Sequence, residues 1–324
     1  MNIKTILKRS ILDLKGSGIL TPELDARVLL EHALEKDSSF ILSYPEYSLS
    51  ISEYKNFIKM IRRRETGEPV AYITGHKEFY GYDFLINKNV LVPRPESEWL
   101  IEAALNYIEK QKNIVETNIH MEYKPALFDF SKRVKRRLGK LHPYKIIDVG
   151  TGSGSLIVAL NKELKKTNPA LKLDFFGSDN SSRAVAVAKK NAKKFKARNI
   201  VFLNSDLFGN RRIKNKLFDI IIANLPYVPR AKKVVSCQLS VVSSIKFEPQ
   251  DAIFADDNGM AVIKKFLLEA RKHIQRGGMI LLELDPRNAL DLLEFSRHHY
   301  PTASISLKKD LAGLERYLII KIKK

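Results

Sequence analysis

The tetrapeptide Asn224-Leu225-Pro226-Tyr227 carries the residue types in this chain that are best suited to chemistry. It follows residues 218–223, an apolar run that predicts a buried strand. A strand that ends in Asn-x-Pro-Tyr presents an amide, a backbone carbonyl and an aromatic face at one edge of a sheet. That set suits a flat, weakly nucleophilic nitrogen: the side-chain amide of glutamine, or the exocyclic amine of adenine or cytosine. The motif alone does not choose among these substrates.

A glycine-rich turn precedes this motif in the chain. Asp148-Val149-Gly150-Thr151-Gly152-Ser153-Gly154 follows a predicted strand at 145–149, and its glycines let a ligand approach the backbone closely. A dinucleotide fingerprint requires its third glycine where Ser155 stands, and a P-loop lysine is absent, so NAD and ATP are both disfavoured. Asp179, at the end of the next predicted strand, is placed to accept hydrogen bonds from a ribose diol.

A third strand end completes the series. Asp206 follows the predicted strand at 200–203 and is placed to take an adenine amine, while Leu207 covers the ring. The glycine turn, Asp179, Asp206 and Asn224 together predict a methyltransferase that uses S-adenosylmethionine. The alternative is that the glycines serve only a tight turn and the aspartates only cap helices.

For methyl transfer to an amide nitrogen, the protein must orient and desolvate the substrate, because the sulfonium donor is already a strong electrophile. The side-chain oxygen of Asn224 is expected to accept one N–H of the substrate, and the carbonyl of Leu225 or Pro226 the other. Pro226 restricts the residue before it and stiffens the loop. Tyr227 is expected to pack on the flat face of the substrate.

The remaining sequence predicts the elements that position these residues. Residues 1–66 follow a helical period, with Thr21-Pro22 as one helix start, and predict a small bundle. Aromatic and β-branched runs broken at glycines predict a β-hairpin linker over 67–95. Residues 96–324 then alternate strands and helices, which predicts an α/β domain with a mostly parallel sheet and a basic insertion near 110–143. Strands are predicted at 145–149, 173–178, 200–203, 218–223, 278–284 and 315–322, and helices at 154–166, 181–196, 259–275 and 286–298.

The amino-acid composition indicates which classes of partner the chain is suited to bind. The chain has 324 residues, with 56 Lys+Arg against 36 Asp+Glu and a net charge of +20. This balance favours anionic partners, nucleic acid above all, although lysines spread from end to end also serve solubility. No apolar stretch approaches the roughly 20 residues that span a bilayer, and the N-terminus predicts an amphipathic helix, so no membrane contact and a cytoplasmic location are expected. The one cysteine, Cys237, allows no intrachain disulfide, and the seven histidines show no metal-ligand spacing, so no metal is expected.

Several motifs occur in the order found in a known enzyme family. They are residues 67–75, 78–81, 92–98, the glycine turn, Asp179, the tetrapeptide at 224–227, 247–249, 277–278 and 310–313. In these motifs the chain resembles the release-factor glutamine N5-methyltransferases over nearly its whole length. The stretch 67–98 is the specific part of the resemblance, since generic methyltransferases lack it.

The resemblance implies a fold, a cofactor and a substrate. The fold is a small all-α domain for substrate recognition, a hairpin linker and a Rossmann-like class I methyltransferase domain that binds S-adenosylmethionine. The substrate is the glutamine of the Gly-Gly-Gln loop in class I peptide-chain release factors. By position, the cofactor-binding residues are Asp148, Gly150, Thr151, Gly152, Ser153, Gly154, Asp179, Asp206, Leu207 and Asn224. The residues implied in catalysis are Asn224, Pro226 and Tyr227, and those implied in substrate binding are Arg94, Glu96, Asn224, Leu225, Pro226 and Tyr227.

Three departures from the family pattern bear on the substrate. Leu225 replaces the first proline of Asn-Pro-Pro-Tyr, and Asn-Leu-Pro-Tyr is also similar to the motif of ribosomal-RNA adenine dimethyltransferases. The sequence Leu282-Glu283-Leu284-Asp285 replaces Leu-Glu-Ile-Gly, and the basic insertion is not typical of the family. The insertion is expected to be a surface excursion or a contact with the ribosome or RNA.

The alternatives to a release factor are therefore a glutamine of a ribosomal protein, an adenine of ribosomal RNA, or an inactive RNA-binding module. The helical domain precedes the glycine motif, which argues against the RNA enzymes, because their extra domain generally follows it.

Overall fold

The structure is a computed structural model that describes residues 1–122, 143–230 and 244–324. The described residues form two compact units. One comprises residues 1–77, 86–92 and 244–250, and the other residues 78–85, 93–122, 143–230 and 251–324. Cys237 and most of the basic insertion lie outside the described residues.

The first unit is the predicted helical bundle. Its helices are α1 (Ile3–Gly16), α2 (Pro22–Leu34), α3 (Ser38–Ser43), α4 (Ile51–Glu65) and α5 (Val70–Thr74). α4 begins with a capping box, in which the side chains of Ser50 and Glu53 each accept a hydrogen bond from the backbone N–H of the other. Each of α1, α2 and α4 turns an apolar face inward, and Ile6, Leu29 and Phe57 on these faces are completely buried between the helices.

The start of α2 differs in part from the prediction. Pro22 is its first residue as expected, but the Thr21 hydroxyl makes no cap to a backbone N–H. It donates instead to the side chain of Asp25 at 3.0 Å, and Arg64 of α4 pairs with the same carboxylate at 2.7 Å. Asp25 and Arg64 are both buried, so this pair holds α2 against α4 inside the bundle.

The segment 67–95 is a hairpin only in its centre. β1 (His76–Phe79) and β2 (Tyr82–Leu85) form a two-stranded sheet, but residues 70–74 form α5 and residues 90–92 join no strand. Pro69 precedes the first turn of α5, and Gly75 ends it with a left-handed φ of 80°. Helix boundaries set by proline and glycine override the β propensity of the residues between them.

The second unit is built on a seven-stranded sheet. Its strands are β3 (Tyr144–Val149), β4 (Leu173–Asp179), β5 (Ile200–Asn204), β6 (Phe218–Asn224), β9 (Ile274–Glu283), β10 (Ser304–Lys309) and β11 (Glu315–Lys321). Its helices are α6 (Glu98–Glu122), α7 (Ser155–Thr167), α8 (Ser182–Lys194), α9 (Ala261–Ala270) and α10 (Ala289–His299), and β7 (Val228–Pro229) pairs with β8 (Phe254–Ala255) in a separate small sheet. The strand order is β10-β11-β9-β6-β3-β4-β5, and β11 alone runs antiparallel to the other six strands. The predicted α/β class I methyltransferase fold is confirmed.

Two sheet elements differ from the prediction. α9 ends at Ala270, and β9 already begins at Ile274, inside the helix predicted for 259–275. β10 was not predicted, because it is an edge strand whose side chains are exposed or half-buried and whose apolar residues are few.

The parallel strands bring the predicted site residues to one edge of the sheet, because the carboxyl ends of β3, β4, β5, β6 and β9 all meet there. The strand register pairs Asp179 with Asn204. It also pairs Asn224 with Glu283, at the ends of β6 and β9.

Candidate active site

The glycine-rich turn joins β3 to α7. Residues 150, 152 and 154 have φ of 76°, 54° and 78°, the left-handed region that favours glycine. A Cβ on Gly150 would lie 2.8 Å from Cδ2 of Leu225, whereas a Cβ on Gly152 would meet no atom within 4 Å. Gly150 is therefore required by the packing of the strand ends, and Gly152 borders open space from which a ligand can reach the backbone.

Asp148 lies completely buried beneath this turn. Its Oδ2 accepts a hydrogen bond from the Thr151 hydroxyl at 2.6 Å, and its Oδ1 has no partner among the described residues. Burial raises the pKa of Asp148 to about 7, and the bond from Thr151 opposes that rise. A buried acceptor without a donor fits a ligand that brings a cation or an N–H group. Thr151 and Ser153 are buried within the turn.

Asp179 connects the end of β4 to the glycine turn. Its Oδ2 accepts from the Gly152 N–H at 2.9 Å, and its Oδ1 from the Ser181 N–H at 2.8 Å. Burial raises the pKa of Asp179, and these two backbone bonds lower it. Since each carboxylate oxygen can accept a second hydrogen bond, Asp179 braces the turn and still offers acceptors to a diol. The open face at Gly152, the unpaired Oδ1 of Asp148 and Asp179 together fit S-adenosylmethionine.

Asp206 and Leu207 form a strained turn after β5. Leu207 has a φ of 45°, and its buried side chain packs into the core. The Ser205 hydroxyl holds the turn, since it donates to the Leu207 carbonyl at 2.9 Å and accepts from the Asn210 N–H at 2.9 Å. The exposed carboxylate of Asp206 pairs with Lys265 at 2.5 Å. The contacts of Asp206 and Leu207 with an adenine stay predictions.

Asn224 stands at the end of β6 with its amide group held by two neighbours. Its Nδ2 donates to the Ser97 hydroxyl at 2.8 Å and to Oε2 of Glu283 at 3.1 Å. The described residues offer no hydrogen bond to its Oδ1. The side-chain oxygen is therefore available as an acceptor, which is the role that the sequence predicts for it.

Ser97 and Glu283 also belong to this site, although neither is among the residues predicted from the sequence. Glu283 is 1% exposed at the end of β9 and accepts from Ser97 at 2.6 Å and from the Tyr227 hydroxyl at 3.1 Å. Burial raises the pKa of Glu283, while the bonds from Ser97 and Tyr227 lower it. One signal was available, since a carboxylate that ends an apolar parallel strand points to the same edge as Asn224.

Of the other residues of the tetrapeptide, Leu225 is buried in the core, and Pro226 and Tyr227 are half-buried at the site. The Leu225 side chain, which stands in place of the first proline of Asn-Pro-Pro-Tyr, is buried in the core against Gly150 and not on an exposed face. The carbonyl oxygens of Leu225 and Pro226 accept no hydrogen bond from the described residues. Tyr227 is half-buried, and burial, followed by the negative charge of Glu283, raises the pKa of its phenol.

Arg94 and Glu96 lie on the segment that leads into α6. The positive charge of Arg94 lowers the pKa of Tyr227, against the larger effect of burial. Glu96 is exposed, and its backbone carbonyl accepts from the Tyr317 hydroxyl at 2.7 Å. The structure thus gives Glu96 a backbone role, and the contacts of Arg94 and Glu96 with the substrate stay predictions.

The part of the chain that the structure describes contains neither a candidate metal site nor a helix that could span a membrane. No group of three or more His, Cys, Asp or Glu residues in it could hold a metal ion. None of its helices is long and apolar enough to cross a membrane.

Known proteins match this chain over almost its whole length. Residues 5–75 match the family described as PrmC N-terminal domain, and residues 142–298 match the methyltransferase domain family. The chain is 30% identical to the release factor glutamine methyltransferase of Aliivibrio fischeri, across 98% of this chain and 96% of that protein. It is 31% identical to that of Koribacter versatilis, across 98% of each. Among solved structures, the chain is similar to the Thermus thermophilus 16S rRNA N2 G1207 methyltransferase in complex with AdoMet and guanosine. The two chains are 16% identical, and the match covers 76% of this chain and 50% of that chain with a TM-score of 0.44.

Proposed function

Since this chain belongs to the release factor glutamine methyltransferase family, we propose that it methylates the glutamine of the Gly-Gly-Gln motif in class I peptide-chain release factors. The acceptor atom is N5, the side-chain amide nitrogen, and the methyl donor is S-adenosylmethionine.

The orientation of Asn224 is the observation that carries the proposal. The NH2 group of its amide faces the acceptors on Ser97 and Glu283, which leaves Oδ1 as an acceptor at the sheet edge. The carbonyl of Leu225 or Pro226 supplies a second acceptor close by. Two acceptors hold both N–H bonds of a planar amide, which is the geometry that a primary carboxamide requires.

The protein lowers the barrier by orientation. An amide nitrogen is a weak nucleophile because its lone pair is delocalised into the carbonyl. Acceptors at Asn224 and at the following carbonyl draw on the two N–H bonds and favour lone-pair density on the face that meets the methyl group. Tyr227 packs on the flat face of the amide. No general base of unusual pKa is needed, because the methylated amide is a cation and loses a proton readily.

The cofactor is assigned to the other half of the sheet edge. When bound, S-adenosylmethionine supplies an electrophilic methyl group on a sulfonium. Gly152 would give it access to the backbone, Asp179 would accept hydrogen bonds from the ribose hydroxyls, and the Asp148 carboxylate would balance its positive charge. Leu207 is assigned to the adenine side of the site.

A transfer assay distinguishes the proposal from its alternatives. Labelled S-adenosylmethionine is incubated with the enzyme and a purified release factor, its Gln-to-Ala variant in the Gly-Gly-Gln motif, ribosomal proteins or ribosomal RNA. We expect label in the release factor and none in the Gln-to-Ala variant. Label in RNA but not in release factor would refute the proposal and identify an adenine methyltransferase. Label in a ribosomal protein but not in release factor would identify a methyltransferase that acts on a glutamine of that protein.

The basic surface and the helical unit are assigned to partners. We assign residues 1–66 to recognition of the protein substrate and the insertion near 110–143 to a contact with the ribosome or RNA. Deletion of residues 115–138 should weaken cosedimentation with ribosomes and leave methylation of free release factor intact. Unchanged cosedimentation would show that the insertion does not contact the ribosome and is only a surface excursion.

A further inference from the structure

Ser97 and Glu283 form a polar pair behind Asn224 that the reaction chemistry does not itself require. Both side chains are buried, with exposures of 3% and 1%. The Ser97 hydroxyl lies 2.6 Å from Oε2 of Glu283, and Nδ2 of Asn224 lies 2.8 Å from that hydroxyl and 3.1 Å from that carboxylate oxygen. Tyr227 donates to the other carboxylate oxygen at 3.1 Å. The three short distances among Ser97, Glu283 and Asn224 close a triangle.

The triangle permits one orientation of the Asn224 amide. The hydrogen bonds from Ser97 and Tyr227 favour the ionised form of Glu283 against the effect of burial on its pKa. An ionised carboxylate only accepts hydrogen bonds, so the Ser97 hydroxyl then donates its single hydrogen to Glu283. Ser97 then has only lone pairs left for Asn224. Both neighbours of the amide are therefore acceptors, and a flipped amide would place its own oxygen against two oxygens. The NH2 group must face inward, and Oδ1 must face the site.

We propose that Ser97 and Glu283 are positioning residues that set the Asn224 amide with its oxygen toward the substrate. The inference rests on the proposed function for the identity of the substrate. Donation of N–H bonds to a carboxylate also polarises an amide, so the pair strengthens Oδ1 as an acceptor. Without the pair, Asn224 turns freely and presents an N–H group to the substrate amine for part of the time.

Replacement of Glu283 separates this role from simple packing. In Glu283→Gln the new side chain can accept from Ser97 and Asn224 with its oxygen and donate to the Tyr227 hydroxyl with its nitrogen. This variant should keep most of the wild-type kcat. Glu283→Leu removes the acceptor at similar volume and should lower kcat roughly 100-fold, the order of loss expected for a misplaced catalytic group, while the cofactor Kd stays unchanged. Asp285→Asn is the matched control, because Asp285 is a buried carboxylate on the same segment that pairs with Arg287.

A swap of the amide and the carboxylate gives the sharper test. Asn224→Asp alone places a second carboxylate against Glu283, so it should be nearly inactive. In the double variant Asn224→Asp with Glu283→Gln, the Gln nitrogen donates to the inward oxygen of the new carboxylate, and the outward oxygen again accepts from the substrate. We expect the double variant to regain at least about tenfold in kcat over Asn224→Asp alone, a coupling that independent sites do not give.

Nuclear magnetic resonance of the enzyme without substrate reads the orientation directly. The side-chain amide signals of Asn224, assigned by their loss in Asn224→Asp, should exchange slowly with solvent in the wild type and in Glu283→Gln. They should exchange rapidly in Glu283→Leu. Rapid exchange in the wild type, or equal kcat in wild type and Glu283→Leu with no rescue in the double variant, would overturn the positioning role. A wild-type enzyme that leaves release factor unmethylated but protects these amide protons would instead refute only the proposed substrate.

Discussion

The affinity for S-adenosylmethionine should depend on pH through Asp148. Its carboxyl is completely buried, its Oδ1 has no donor among the described residues, and its pKa is raised to about 7. A bound sulfonium cofactor brings positive charge, which favours the ionised form and lowers that pKa. Binding below pH 7 should therefore release a proton, and affinity should fall as the solution becomes more acidic.

The size of the effect follows from the raised pKa. If ionised Asp148 is the binding form, the apparent Kd scales with 1 + 10^(7 − pH) for a pKa of about 7. The cofactor should therefore bind about tenfold more weakly at pH 6 than at pH 8. Isothermal titration calorimetry in two buffers of different ionisation enthalpy measures both the Kd and the proton released.

Asp148→Asn is the variant that isolates this group. It should bind cofactor more weakly at pH 8 and lose the pH dependence between pH 6 and pH 8. The same carboxyl also affects folding. Because its folded pKa is raised, its contribution to stability is complete below the unfolded pKa near 4 and is lost as pH rises through about 7. At pH 8 without cofactor, Asp148→Asn should therefore be the more stable protein, by up to about 4 kcal/mol. A tenfold pH dependence that persists in Asp148→Asn would refute this assignment.

Two further variants test the supports of the site and of the helical bundle. A Cβ on Gly259, which has a φ of 90°, would lie 2.0 Å from the Tyr227 carbonyl. Gly259→Ala should thus displace the tetrapeptide loop and lower kcat roughly 100-fold in steady-state kinetics, with cofactor binding retained; an unchanged kcat would contradict the close contact. Arg64→Ala leaves the buried Asp25 carboxylate unpaired and should lower the free energy of unfolding by about 3 kcal/mol in urea denaturation, whereas Arg64→Ala together with Asp25→Asn should recover part of the loss. Equal stability of the wild type and Arg64→Ala would show that the pair contributes nothing.

The sequence predicts the parts of the site that lie on single strand ends. The glycine turn, Asp179 and Asn224 each combine an apolar strand with a chemically distinctive residue directly after it, and the parallel sheet brings them together. Glu283 also ends such a strand, but Ser97 lies on no strand, and its contact with Glu283 joins residues 186 positions apart. Their roles depend on donor and acceptor geometry, which spacing in the sequence does not reveal.

Local sequence composition also failed to predict one element of secondary structure. Residues 70–74 have the composition of a strand, but Pro69 and Gly75 set the boundaries of a short helix. Leu225 suggested a change of substrate, since a proline usually stands at that position in the family. Its side chain is buried against Gly150, so the difference lies on the core side of the loop and not at its exposed face.

The most direct test of the central claim is to locate the methyl group by mass spectrometry of release factor peptides after incubation with enzyme and S-adenosylmethionine. The account predicts one methyl group on the side chain of the glutamine in the Gly-Gly-Gln motif with the wild-type enzyme. It predicts none with Asn224→Ala, although that variant should still bind the cofactor in equilibrium dialysis. A methyl group on another residue, or full methylation of the glutamine by Asn224→Ala, would contradict it.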